Sequence, residues 1–190
     1  GNAALARRAW KEARAAGSQM VALTEMFVTG YQTQDLVMRP AFVRDAMATV
    51  ERLAAATAEG PAIGIGGPWA AEGRIYNAYH VLQGGRISAT VLKHHLPNAE
   101  VFDERRIFAP GAVQDPVRVG PLAIGVPICE DSWHPQVAAT LAARGAGLLL
   151  VPNGSPYHRE KHDVRVNLMV DRVSETGLPL AYVNMIGGQD

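Results

Sequence analysis

The chain has 190 residues, 48% of them hydrophobic, with 18 basic and 18 acidic side chains and a formal net charge of +0. That length is about one domain, the apolar content suits a packed core rather than disorder, and the charge balance leaves no basic surplus for nucleic acid or an anionic membrane. No apolar run approaches the ~20 residues of a bilayer span; the opening segment has no apolar signal core; and a single cysteine, Cys129, forms neither an internal disulfide nor a zinc site alone, which fits a reducing, cytoplasmic compartment.

Asn2 to Ala16 has high helix propensity, and Gly17 can end that helix. The short apolar run Met20–Leu23 reads as a strand that breaks at Thr24-Glu25 into the turn-rich "FVTGYQTQD". Asp35 is a candidate cap for a helix reaching about Ala58, with Pro40 tolerated in its first turns. "PAIGIGGPWA" reads as a buried strand; its glycines lack the spacing and the following helix of a nucleotide fingerprint, and suit a strand passing close to another backbone. "IYNAYHVLQGGRISATVLKHH" reads as a hairpin turning at Gly84-Gly85. "VRVGPLAIGVPICED" is a strand pair or one bent strand, and Pro127, which lacks a ladder donor, points to a bulge or an edge there. His134–Arg144 is helical and stops at Gly145 and Gly147, "LLLVPN" is a buried strand, Glu160–Thr176 is a helix closed by Gly177, and "LPLAYVNMIGG" is a last strand. Strands alternating with helices around a central hairpin predict an α/β sandwich with a mixed sheet. A first element that is a helix, and a last strand that ends in loop residues, suggest a fragment of a longer chain, cut at both ends.

Three residues at the ends of apolar runs carry the chemistry. Cys129 follows "GVPI", Glu25 follows "MVALT" and Lys93 follows "SATVL". In α/β sheets functional groups gather at the carboxyl ends of strands. Each residue alone has a plain alternative: a lone cysteine is usually a small buried hydrophobe, and a charged strand end is usually just solvated. Glu130 and Asp131 raise a thiol's pKa if they point at it, yet alternation along a strand turns Glu130 away from Cys129 unless the chain bends. The thiol therefore needs a cation beside it, or a base that takes its proton during attack.

The acid in "TEMFVTGY", the lysine in "KHHLPNAEVFDERRIF" and the cysteine in "GVPICEDSW" resemble the nitrilase, or carbon–nitrogen hydrolase, superfamily. Within it, the ordered blocks "KHHLPN", "VFDERRIF", "ICEDSW", "SPYHREKHDVR" and "YVNMIGGQD" are most similar to the glutaminase domain of glutamine-dependent NAD(+) synthetases. The resemblance covers almost the whole chain. It implies an α-β-β-α sandwich and a catalytic set of Glu25, Lys93 and Cys129 supported by Glu104. It implies a glutamine site in which Glu130, Ser155 and Lys161 meet the substrate. It further implies that residues 1–190 are a partial hydrolase domain, that a synthetase domain carrying the ATP and Mg²⁺ sites lies outside this chain, and that copies assemble into a homo-oligomer. No cofactor is expected in this domain. Three positions depart from the family pattern: Ala99 and Glu100 stand where a pocket tyrosine and a glycine are usual, and Thr24 stands where proline or serine is usual. The loss of that aromatic keeps a free-standing amidase or nitrilase with another small substrate as the alternative reading, and a catalytically dead binding module would require a broken trio.

His158 and His162, four apart, match half of a zinc site, but the pattern is not H-E-x-x-H and shows no third ligand. No metal site is expected. Arg159 reads as a solvated turn residue.

Overall fold

A computed structural model describes residues 1–98, 102–156, 159 and 161–186, with the side chain of Lys161 outside the description. The helices are α1 (Asn2–Ala15), α2 (Pro40–Ala56), α3 (Glu104–Ile107), α4 (Pro135–Ala143) and α5 (Lys161–Thr176). The strands are β1 (Met20–Ala22), β2 (Ala62–Ala71), β3 (Arg74–Gln83), β4 (Arg86–Leu92), β5 (Val117–Val119), β6 (Leu122–Gly125), β7 (Leu148–Asn153) and β8 (Leu180–Asn184). They form two four-stranded mixed sheets, ordered β1-β2-β3-β4 and β5-β6-β7-β8. In the first, β1 and β2 are parallel and the rest antiparallel. In the second, β5 and β6 are antiparallel, while β6, β7 and β8 run parallel.

Strand alternation explains the layers. On β2, Ile63 and Ile65 face α1 and α2, where they pack with Ala6, Trp10, Val50 and Leu53. On β3 and β4, Tyr79, Val81 and Val91 face the other way, onto Val117, Val119, Ile124, Val126, Ile128 and Leu150 of the second half. The outer face of the second sheet buries Leu149 against Val137, Ala138 and Leu141 of α4. The result is the expected α-β-β-α order, with one apolar layer between the sheets. On the far side, α5 leaves Val164, Val166, Val170 and Val173 exposed. Among the described residues no helix is long and apolar enough to cross a membrane.

The hairpin at Gly84-Gly85 forms as its sequence predicts, both glycines having positive φ. Asp35 does not cap the following helix. It lies in a short 3₁₀ turn, Gln34–Met38, and its carboxylate pairs with Arg106 at 2.8 Å. The helix starts instead at Pro40, whose missing N–H and fixed φ suit a first helical position. The strand before Cys129 is also shorter than expected: β6 stops at Gly125, and Pro127 falls in the connector beyond it, where no ladder bond is lost.

The close approach read from "GIGG" occurs at Gly66. A Cβ built there would lie 2.2 Å from the backbone nitrogen of Met26 and 2.6 Å from the carbonyl oxygen of Thr24. The Gly66 N–H donates to the Thr24 carbonyl and the Gly66 carbonyl accepts from Val28 N–H, so the segment bearing Glu25 lies directly on this glycine. Gly66→Ala is expected to displace that segment at an overpacking cost of about 1–3 kcal/mol. Thermal unfolding should show a lowered midpoint; an unchanged midpoint would mean that the segment yields freely.

Candidate active site

Lys93 continues the face of Ala89 and Val91 one step past β4 and so points between the sheets. Its backbone is pinned on both sides, Lys93 N–H donating to the Asn77 carbonyl and Gly111 N–H to the Lys93 carbonyl. Its ammonium lies 2.7 Å from Glu25 Oε1 and 2.8 Å from Glu104 Oε2, all three side chains being almost wholly buried. Burial opposes the charged form of Lys93, but Glu25 and Glu104 outweigh it and raise its pKa well above the usual lysine value. Glu104 is raised by burial and by Glu25, against the downward pull of Lys93.

Cys129 comes from the other sheet. After Val126 and Ile128 pack in the inter-sheet core, the chain turns into a short 3₁₀ helix, Cys129–Trp133. Cys129 itself has φ +47°, and Met26, the residue after Glu25, has φ +49. Positive φ is strained for such side chains and tends to persist where the surroundings enforce it. This bend also explains Glu130: it is only half-buried and reaches back to His134 at 3.6 Å, away from the sulfur. Burial raises the Cys129 thiol pKa well above normal, Glu25 adds to this, Lys93 opposes it and Glu104 adds again. These influences favour the neutral thiol over the thiolate. The Gly154 backbone bonds to that sulfur, and a Cβ built on Gly154 would lie 3.0 Å from Glu25 Oε2. The sulfur and Oε2 thus flank one glycine. Glu25 Oε2 has no hydrogen-bond partner among the described residues. Ser155 Oγ is 3.9 Å from Cys129 Sγ and 3.5 Å from Asn153 Oδ1.

The structure therefore brings Glu25, Lys93, Glu104, Cys129 and Ser155 into one neighbourhood, with Glu130 at its edge. Of Lys161 only the backbone is described, opening α5; Ala99, Glu100 and His158 lie outside the described residues, and Arg159 is exposed. Among the described residues no group of three or more His, Cys, Asp or Glu side chains is arranged to hold a metal ion.

Sequence reasoning missed three members of the site. Asn77 Nδ2 donates to Glu25 Oε1 at 2.8 Å and to Glu104 Oε1 at 2.9 Å. Tyr31 Oη donates to Glu104 Oε1 at 2.9 Å. Asp131 joins the two halves: its carboxylate accepts from the backbone N–H of His95 at 2.6 Å, His94 at 3.1 Å and Ile128 at 3.1 Å. Burial pushes Asp131 up to about 6, against the lowering effect of the His95 N–H, the Lys93 charge and the N–H groups of His94 and Ile128. On the opposite side of the turn, Arg172 of α5 donates to the carbonyls of Ser132 and Trp133 at 3.4 Å each. A cation there suits the carbonyl end of a helical turn.

Residues 1–190 match the carbon-nitrogen hydrolase family. The chain belongs to the carbon–nitrogen hydrolase family. Other proteins similar to this carbon–nitrogen hydrolase chain include the glutamine-dependent NAD(+) synthetase of Rhodobacter capsulatus, 61% identical over 189 residues that make up 100% of this chain and 34% of that protein. The namesake from Xylella fastidiosa is 42% identical over 92% of this chain and 32% of its own length. The chain thus spans about a third of the length of these relatives. The structure of glutamine-dependent NAD+ synthetase from Acinetobacter baumannii superposes with a TM-score of 0.93 at 28% identity, over 100% of this chain and 36% of that one. An amidase from Nesterenkonia sp. superposes with a TM-score of 0.83 at 26% identity, over 98% of this chain and 70% of that one.

Proposed function

We propose that this carbon–nitrogen hydrolase chain hydrolyses the side-chain amide of glutamine through a thioester on Cys129, and that it supplies the ammonia to a synthetase domain that forms NAD(+). The observation that carries the chemistry is the buried ammonium of Lys93 held between Glu25 and Glu104 at 2.7 and 2.8 Å, beside the only cysteine. The substrate and the synthetase rest on the relatives, whose names specify glutamine-dependent NAD(+) synthesis and of which this chain covers about a third. A hydrolase domain spanning residues 1–190 of a longer protein fits that share.

The neutral thiol loses its proton to Glu25 Oε2 as the sulfur attacks the amide carbon, so no free thiolate is needed beforehand. Lysine has three N–H donors. One is donated to Glu25 and the charge also pairs with Glu104, which leaves a donor for the developing oxyanion. The backbone N–H of Glu130 is the second oxyanion donor. Collapse of the tetrahedral adduct breaks the C–N bond, and ammonia leaves with the proton held on Glu25. Water then attacks the thioester, Glu25 takes its proton and returns it to the sulfur, and glutamate departs. Ser155, 3.9 Å from the sulfur, and Glu130 flank the substrate path, with Lys161 following on the α5 side.

The test is release of ammonia and glutamate from glutamine by the purified protein, alongside a panel of other small amides. Equal release of both products, and labelling of Cys129 by a thiol-reactive glutamine analogue, are expected. Turnover of simple amides with none of glutamine would replace this reading with a general amidase.

A further inference from the structure

We propose that Asn77 is a positioning residue that orients the Glu25 carboxylate so that one oxygen stays free toward the Cys129 sulfur to act as the base. The inference rests on the acid–base reading of Glu25 given above. Asn77 lies on β3, on the face that carries Tyr79 and Val81 into the inter-sheet core, and it is fully buried. Its amide nitrogen meets two carboxylate oxygens, Glu25 Oε1 at 2.8 Å and Glu104 Oε1 at 2.9 Å. Ionised carboxylates only accept, so the nitrogen side of the amide must face them. Its own oxygen, Oδ1, is buried and without a hydrogen-bond partner among the described residues. An unmet buried carbonyl is a cost that packing alone does not call for. The amide fits this position because of its two N–H groups.

Those two groups share the carboxylate pair with Lys93. Glu25 Oε1 is held by Asn77 and by the ammonium at once. Oε2 is then the oxygen with no hydrogen-bond partner among the described residues, and it faces Gly154, whose backbone also contacts the Cys129 sulfur. Without the amide, Lys93 alone orients the carboxylate, whose plane can then swing away from the sulfur, and a proton can settle between Glu25 and Glu104. The charged or titratable side chains facing this point are Glu25, Glu104, Lys93, Cys129 and Tyr31.

The experiment uses Asn77→Leu, which keeps the branched skeleton, though with bulkier methyl ends, and removes both the donors and the unmet carbonyl, and Asn77→Asp, which keeps shape and replaces donors by acceptors. Two readouts are taken across pH: kcat/KM for glutamine, and the rate of Cys129 alkylation by iodoacetamide. In that alkylation the S–CH₂ bond forms, iodide leaves and the thiol proton passes to Oε2. We expect kcat/KM of Asn77→Leu to fall by about 10²-fold, carried by kcat with KM little changed. We expect the acid limbs of both profiles to move up by about one pH unit, because the site then holds a proton more readily. Thermal unfolding of Asn77→Leu should match or exceed that of the wild type. If Asn77→Asp does not fold, Asn77→Leu alone decides. A loss of activity in Asn77→Leu with both pH profiles unmoved and a lowered unfolding midpoint overturns the proposal in favour of a packing role, as do unchanged rates. If the wild type hydrolyses no glutamine, the functional reading fails, while the alkylation profiles still judge Asn77.

Discussion

Lys93→Met is expected to lower glutamine turnover by at least about 10³-fold and to destabilise the protein together. The two losses have one cause. Among the described residues the Lys93 ammonium is the only cation paired with Glu25 and Glu104, at 2.7 and 2.8 Å, and all three groups are buried. Removing one partner of a buried ion pair leaves the other uncompensated, at about 3–5 kcal/mol. The carboxylates escape that cost by taking up a proton, which disarms Glu25 as a base. Loss of one oxyanion donor by itself is worth about 10²–10³ in rate, and loss of the base adds to it. Steady-state ammonia release and thermal unfolding check this together. A Lys93→Met protein that keeps wild-type stability would mean that the two carboxylates are not held against each other by this charge. Adding Glu104→Gln to Lys93→Met should recover stability and not activity.

Cys129→Ala is expected to be the opposite case: no turnover, by a factor of at least about 10⁴, with stability changed by no more than about 1 kcal/mol. The sulfur is buried, but it is one atom, and its side-chain contact with Ser155 Oγ is long, at 3.9 Å. Alanine inherits the same positive φ of 47° and so relieves none of the strain. Because burial favours the neutral thiol, removing it also leaves the charge balance around Lys93 as it was. Residual hydrolysis near the wild-type rate would sink the thioester route, whereas a large fall in unfolding midpoint would mean that the sulfur holds the turn.

The Gly84-Gly85 hairpin, the buried "LLLVPN" strand and the late helix all depend on neighbours in sequence, and they were legible for that reason. Glu25, Lys93 and Cys129 stood out as candidates because charged or polarisable residues ended apolar runs, and Glu104 only because its block resembles a known family. Asp35 misled, since its partner is Arg106, far along the chain, and a local rule about helix starts cannot see it. Cys129 was read as the end of a strand, yet the three residues Val126–Ile128 intervene; their apolar character comes from packing between the sheets rather than from strand pairing. Asn77 did carry a signal. It is a polar side chain in phase with Tyr79 and Val81 on a face that is otherwise apolar. Asp131 carried one too, placed three residues after Ile128 where it reaches back to that residue's N–H, as in a capping box. Its bonds to the His94 and His95 backbone had no local trace.

Asp131 has one more implication. Glu25 and Lys93 hang from one sheet and Cys129 from the other, so the proposed reaction centre lies at the seam between the two halves. A single carboxylate spans that seam by gripping main-chain amides rather than side chains. Residues 94 and 95 can therefore change identity without loosening the grip, while any slip of one layer past the other would part Glu25 and Lys93 from Cys129.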